Sequence, residues 1–430
     1  MAPASVQATT LDRAYGKAAW HIVPLLGVAY AVSYLDRVNV GFAKLQMSQA
    51  VGFSETIYGF GAGAFFITYV MCQLPANWML QRLGARRWIA TIMITWGLLS
   101  ATCLFVSGPK SFLLLRMLLG AAEAGFYPAM IYYLATWFPA HRRAAMLAIF
   151  ISAIPIAGVI GNPLSGWILD RFDGRAHLGG WQWMFALEAA PAILIAIAIL
   201  VFLRDSIDRV RWLTEEEKAV LTADLAIDQV EAGPGPGSLR AVLHDSRIYL
   251  LSAIYFSIVL SQYAVTFWIP TLLRSAGSNN TIHLGLLGAL PFLAAVIAMN
   301  IIGRSADRHR ERRWHTMAPM LIAIAGLIAI TLVHGVSGTV VALCFVSSGA
   351  LTATATFWSL PTAFLSGSAA GYGLAVINSI GNLGGFVSPF LIGFILDRTH
   401  HSDIAMYALA AAALLGVAGI QRIPSRLVNR

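Results

Sequence analysis

Twelve stretches of this sequence each stay apolar for about twenty residues, the length a helix needs to cross roughly 30 Å of hydrocarbon. No other feature narrows the fold as much. Inside a bilayer every backbone N–H and C=O must be satisfied within the chain, so runs of this length can only be helices. They are Trp20 to Ala43, Glu55 to Trp78, Trp88 to Val106, Ser111 to Phe138, Ala144 to Leu169, Gln182 to Leu203, Ile248 to Leu273, His283 to Ile302, His315 to His334, Thr339 to Leu360, Gly371 to Leu396 and Ile404 to Ile420. The expected fold class is an all-α membrane protein with twelve transmembrane helices. Composition agrees, since 58% of the 430 residues are hydrophobic and only 11% charged, against about 25% charged in soluble domains. The polar lead before Trp20 enters the first run without a short h-region or small-residue cleavage site, so the first helix is expected to stay.

The net charge of +9 would admit a nucleic-acid partner, but most of the basic residues stand in short loops between apolar runs, which points to a lipid bilayer instead. An even number of spans puts both termini on one side. With cytoplasmic termini, the outer loops hold only Lys44, Lys110, Arg171, Arg175, Arg274 and Arg398, and every other loop Lys and Arg lies inside. The positive-inside rule therefore favours cytoplasmic termini.

Cys72, Cys103 and Cys344 lie within apolar runs, without zinc or redox spacing, and read as small buried hydrophobes. The histidines show no ligand spacing, so neither a metal nor a cofactor is expected. No P-loop, triad spacing or metal motif suggests an enzyme.

Between spans six and seven lies one long polar segment. Thr214 followed by Glu217 forms a capping box, and Val220, Leu221, Leu225 and Ile227 give the helix it opens an apolar side, so the helix is expected to lie on the membrane surface. Gly233-Pro234-Gly235-Pro236-Gly237 then reads as a linker. The chain divides into residues 1–203, a six-helix bundle; 204–247, a linker with an amphipathic helix; and 248–430, a second six-helix bundle. The halves look duplicated. Gly166-x-x-x-Asp170-Arg171 ends span five and Gly393-x-x-x-Asp397-Arg398 ends span eleven, while Asn77-x-x-x-Gln81-Arg82 and Gly303-x-x-x-Asp307-Arg308 end spans two and eight at almost the same offset. Internal repeats of this kind are a sign of secondary transporters.

Charges inside the spans carry the functional reading. Asp36 and Arg37 stand side by side in span one, and Arg116 and Glu123 stand about two turns apart on one stripe of span four. A charge at membrane depth costs about 2.5–3.5 kcal/mol on insertion scales and marks an ion or substrate path by default. The bland alternative is that the four merely pair to lock helices together, which Asp36 and Arg116 could do alone. Asp36 and Glu123 are the acids whose burial would bring them into a range where protons exchange. Arg37 stays charged and can grip a carboxylate through two parallel hydrogen bonds, which makes it the main anion anchor. Tyr34 shares its stripe, and Arg116 fits as a partner for the acids. From the second half come Gln262, Tyr263, Trp358, Ser359 and Asn378, although Asn and Gln also commonly bond neighbouring helices. Glu188, near the outer end of span six, reads as structural.

Twelve spans, the duplication, the Arg82-Leu83-Gly84-Ala85-Arg86-Arg87 loop and the Gly303-to-Arg308 loop resemble the major facilitator superfamily. Tyr34-Leu35-Asp36-Arg37-Val38-Asn39, Arg116 with Gly120-Ala121-Ala122-Glu123-Ala124, and Gly381-Asn382 resemble its anion:cation symporter family, which includes bacterial carriers of tartrate, sugar acids and aromatic carboxylates. The resemblance implies two pseudo-symmetric six-helix bundles in a bacterial inner membrane, working as a monomer by alternating access. It gives proton coupling to Asp36 and Glu123 and anion binding to Arg37, places Tyr69, Gln73, Trp358 and Asn378 at the cavity, and gives the loops bearing Arg82, Arg86, Asp307 and Arg308 to the cytoplasmic gate. Gln81 replaces the acid, and Asn77 the glycine, usual in that gate. The implied function is proton-coupled import of a small organic carboxylate such as tartrate. The alternatives are a proton antiporter exporting drugs or aromatic acids, and a membrane sensor that binds without carrying.

Overall fold

The computed structural model describes residues 4–231, 243–364 and 369–425. The linker at Gly233 to Gly237, with Arg240, Arg426 and Arg430, lies outside the described residues. The regular structure among the described residues is entirely helical, and twelve helices are long and apolar enough to cross a membrane. In order they are Thr9–Val51, Glu55–Leu83, Ala85–Phe105, Pro109–Ala135, Phe150–Arg171, Gly180–Phe202, Ser246–Ser275, Thr281–His309, Arg313–Leu332, Gly335–Thr362, Tyr372–Thr399 and Asp403–Gln421, called spans one to twelve.

Span one belongs to one continuous helix, Ala4–Val51, longer at both ends than its apolar run. Its polar lead stays helical because Ala14, Tyr15 and Ala18 bury one face against the surface helix Glu215–Glu231. There Tyr15 donates to Asp224 at 2.6 Å and Lys17 to Glu217 at 2.7 Å. The capping box forms, with Thr214 N–H on Glu217 Oε2 at 2.9 Å and Glu217 N–H on Thr214 Oγ1 at 3.2 Å. Desolvation pushes the Glu217 carboxyl up, but hydrogen bonds from Lys17 and Thr214 outweigh it and hold the group below the usual carboxylate range. Leu221 and Leu225 face inward; Ile227 is exposed, since two residues past Leu225 a helix has turned about 200°.

Packing repeats with an offset of six. Span two packs on four as eight packs on ten, three on six as nine on twelve, and one on five and six as seven on eleven and twelve. The two halves meet along two seams, span five against eight and span two against eleven. Glycines make the approach possible. At Gly59 and Gly63 a Cβ would strike the Pro389 and Phe386 backbone, and at Gly166 and Gly285 it would strike the opposite backbone of the other seam.

The duplicated Gly-x-x-x-Asp-Arg sequence performs one task twice. Gly393 lies under the Glu55 carbonyl while Asp397 accepts from the backbone N–H groups of Glu55 and Thr56 at 3.0 and 2.8 Å, at the start of span two. Gly166 lies under the Thr281 carbonyl, and Asp170 accepts from Thr281 Oγ1 at 3.2 Å, at the start of span eight. An acid at a helix N-terminus is also favoured by the helix dipole. On the same side, away from the termini, Lys44 pairs with Glu55, donates to Thr271 at 3.1 Å and lies 4.0 Å from the Trp268 ring centre. Lys44 is thus a buried helical residue rather than an outer loop cation.

Candidate functional site

Between the seams, midway through the spans, a cavity is lined from the first half by Tyr30, Arg37, Tyr69, Tyr127, Ile151 and Ile154, and from the second by Tyr255, Val259, Gln262, Tyr263, Thr354, Trp358, Asn378 and Asn382. Broken helices bring several of these groups inward. Span four breaks between Glu123 and Phe126, span ten at Trp358 and span eleven at Leu383. Such interruptions are tolerated at membrane depth where the backbone is buried in protein or lines a cavity.

Arg37 is the charged residue in that lining. Its Nε and Nη2 both donate to Glu123 Oε2, at 2.8 and 2.7 Å, and Ser33 Oγ reaches the same oxygen at 3.2 Å. The other oxygen, Glu123 Oε1, is buried without a hydrogen-bond partner. The guanidinium also lies 5.2 Å from the ring centres of both Phe65 and Tyr69, within cation–π range. Arginine has five N–H donors in a fixed fork, so two on one carboxylate oxygen leave others for a second ligand.

The remaining charges sit behind Arg37. Asp36 is buried and accepts from Ser100 on span three. Arg116 is buried, donates to the Ala62 carbonyl at 3.4 Å, and lies 5.2 Å from the Phe65 ring centre with its Nε unpartnered. The four expected charges are therefore together in one buried region, but only Arg37 and Glu123 form an ion pair. The pairing of Arg116 with Asp36 or Glu123 is not formed here, because Ser100 takes Asp36 and Arg37 takes Glu123.

Of the expected lining residues, Arg37, Tyr69, Gln262, Trp358 and Asn378 border the cavity. Tyr34 instead bonds Thr266 across the halves at 3.3 Å. Gln73 accepts from Ser379 at 3.0 Å, again across the halves, and Ser359 donates to its own helix at Thr356 O, 2.7 Å. All three are buried or half-buried beside the cavity rather than in its lining. Gln262 accepts from Thr354 at 2.9 Å, and Asn378 accepts from Asn382 at 3.0 Å. Tyr127 and Tyr255 were not singled out from the sequence. Spacing could have flagged both, since Tyr127 lies one turn after Glu123 and Tyr255 two turns before Gln262.

The loop residues expected at a gate hold their own halves. Arg82 stacks on Trp78 at 3.6 Å, the Arg86 backbone N–H reaches Asp205 at 3.0 Å, and Asp307 accepts from Arg312 at 3.1 Å. Arg308 is exposed. Among the described residues no cluster of His, Cys, Asp and Glu could hold a metal.

The profile of the Major Facilitator Superfamily matches residues 26–389. The chain is 45% identical over 417 residues to NicT of Pseudomonas putida, named as a metabolite transport protein, covering 97% of this chain and 95% of that one. It is 43% identical over 403 residues to an Agrobacterium vitis protein named as a tartrate transporter, covering 94% and 89%. It is 39% identical over 407 residues to the quinolone resistance transporter of Acinetobacter baumannii, covering 92% and 91%. Among solved structures, the xylose transporter XylE of E. coli superposes with a TM-score of 0.74 at 13% identity, covering 94% of this chain and 98% of that one. The twelve-helix chain belongs to the major facilitator superfamily, a family of membrane transporters and not of enzymes.

Proposed function

We propose that the protein is a proton-coupled importer of a small organic carboxylate, of the tartrate or related hydroxy-acid class, belonging to the anion:cation symporters of its superfamily. It works as a monomer in a bacterial inner membrane with both termini cytoplasmic, by rocking residues 1–203 against 248–430 about the cavity while 204–247 links them. The observation that carries this reading is the Arg37–Glu123 pair at the cavity wall. An arriving carboxylate competes for the Arg37 fork. Once Arg37 turns to the ligand, Glu123 is a buried carboxylate short of its cation, and taking a proton removes the cost. Anion binding and proton binding thus favour each other, which is the linkage symport needs.

Energetics require such coupling. Each negative charge moved into a cell costs about 2.3 kcal/mol per 100 mV, so an anion alone enters against more than a tenfold penalty, protons equal to its charge remove that penalty, and an excess turns the potential into a driving force. Asp36, beside Arg37, is the second proton site, and Arg116 holds the field behind the pair. Tyr69, Gln262, Trp358 and Asn378 shape the anion's seat. Tyr34, Gln73 and Ser359 tie the surrounding helices, and Arg82, Arg86, Asp307 and Arg308 are left for the cytoplasmic gate in its other state. The names of the tartrate and metabolite relatives support the substrate class.

A second reading has its own support. The cavity carries Tyr30, Tyr69, Tyr127, Tyr255, Tyr263 and Trp358, and a relative is named for quinolone resistance; both suit an aromatic acid, and export by proton antiport. Proteoliposomes holding L-tartrate or benzoate at equal concentration inside and outside, and given an inward proton gradient, separate the two. Uptake driven by inward proton flow supports import, and loss of solute against that flow supports antiport. No gradient-dependent flux of any tested acid rejects both.

A further inference from the structure

Glu188 lies in span six with its carboxyl sealed from solvent, the residue being 2% exposed. Its Oε1 accepts from Ser165 Oγ at 2.7 Å, while Oε2 is buried without a partner. Asn39, one turn past Asp36 on span one, sits beside it, 1% exposed, and neither of its amide atoms has a partner. Span six packs against spans one, three and five. Span one presents Asp36, another acid, to Glu188. Cys103, at the end of span three, faces Asp36, and span five supplies only the Ser165 hydroxyl. Among the described residues no Lys, Arg or His pairs with Glu188.

An ionised carboxylate with only the neutral Ser165 hydroxyl and Asn39 amide beside it, no cation, and a second acid facing it would bear an uncompensated desolvation cost of several kcal/mol. The neutral acid fits the same space better. A proton on Oε2 removes the charge while Oε1 still accepts from Ser165, and the Asn39 amide, neutral itself, can meet either form. This is a different situation from Glu123, whose charge is met by Arg37.

We infer that Glu188 is a further proton-binding site, holding its proton on Oε2 in this sealed pocket. The step balances as Glu188–COOH going to Glu188 carboxylate and a proton released to water once the pocket opens. It rests on the proton-coupled reading and extends it. A dicarboxylate carries two negative charges, so the membrane potential drives its uptake only when more than two protons accompany it. Asp36, Glu123 and Glu188, each holding its own proton, would supply three, enough for a substrate with two carboxylates.

Infrared difference spectroscopy on the purified full chain in lipid, titrated with protons alone from mildly acidic to alkaline buffer, tests the site without a substrate. The expected result is a carboxylic C=O band that disappears reversibly on alkalinisation. It is missing in Glu188→Gln, and it moves in frequency in Glu188→Asp and in Ser165→Ala, which removes its one donor. Should Glu188→Gln fail to fold, the shift in Ser165→Ala identifies the band. A Glu188 band that persists at every pH makes the group a purely structural acid, and no band sensitive to these changes makes it permanently ionised; either overturns the inference. The bands lost in Asp36→Asn and Glu123→Gln are read separately, so failure of the coupling scheme and failure of the Glu188 site look different.

Discussion

The two halves share a scaffold and differ in chemistry. Each packs its spans in the same order, closes its seam with glycine, and ends its fifth helix with an acid set on the start of a partner helix. Yet Asp36, Arg37, Arg116, Glu123 and Glu188 all belong to the first half, while spans seven to twelve carry Asp, Glu, Lys or Arg only within five residues of an end. The second half meets the cavity with Tyr255, Gln262, Tyr263, Thr354, Trp358 and Asn378 instead. The frame is repeated in the two halves, and the buried charge is not. In the proposed function one half binds charge and exchanges protons, and the other gives shape and neutral hydrogen bonds.

That division predicts a graded set of mutational effects. The largest is Arg37→Ala, which leaves Glu123 buried without its cation at a cost of about 3–5 kcal/mol; uptake and ligand-induced thermal stabilisation are both lost. Arg37→Lys keeps the charge but not the fork, so affinity for a carboxylate falls about tenfold, or about 1.4 kcal/mol, measured by calorimetry. In the second half, Gln262→Ala and Asn378→Ala each remove neutral hydrogen bonds worth about 1 kcal/mol, so affinity drops severalfold with the proton dependence intact. Effects as large as those at Arg37 would break the comparison between halves.

Smaller still are effects at the seams, where the two Asp latches can be set against each other. Asp397→Ala loses two backbone caps at about 0.5–2 kcal/mol, while Asp170→Ala loses one exposed hydroxyl contact worth under about 0.5 kcal/mol. Distance measurements between spin labels on the side away from the termini should show more opening for Asp397→Ala. Equal opening would mean the latches are energetically matched despite their geometry. The smallest effect concerns the surface helix. With the Glu217 carboxyl held below its ordinary range, its bond to Lys17 is present at neutral pH and is lost as pH falls through the acid range where the folded group finally protonates. Protection from hydrogen exchange over residues 215–231, taken relative to the intrinsic rate at each pH, should therefore fall only in acid.

Much of this was legible in the sequence because membrane burial leaves coarse marks. Span number, the capping box at Thr214 and the duplicated Gly166 and Gly393 motifs follow from length, periodicity and spacing, and the structure carries them all. Which buried charge meets which was not legible. Asp36 and Arg37 are neighbours in sequence but point to different helices, and the choice of Ser100 over Arg116 for Asp36 depends on how span three packs. Lys44 was misread as a loop residue because the helix continues past its apolar run, into a cage built by Glu55, Tyr58 and Trp268. Glu188 reads as structural in the sequence, where nothing near it in the chain shows Asn39 and Ser165 closing around it.

Exchange of partners at Arg37 is the heart of the account, and proton uptake on ligand binding measures it most directly. Purified protein in weakly buffered solution is mixed with the carboxylate that stabilises it best in a thermal-shift panel, and proton uptake is followed with a pH dye. The wild type should take up protons together with the acid, and Glu123→Gln should bind the acid while taking up fewer. Binding without proton uptake in the wild type, or undiminished uptake in Glu123→Gln, would contradict it.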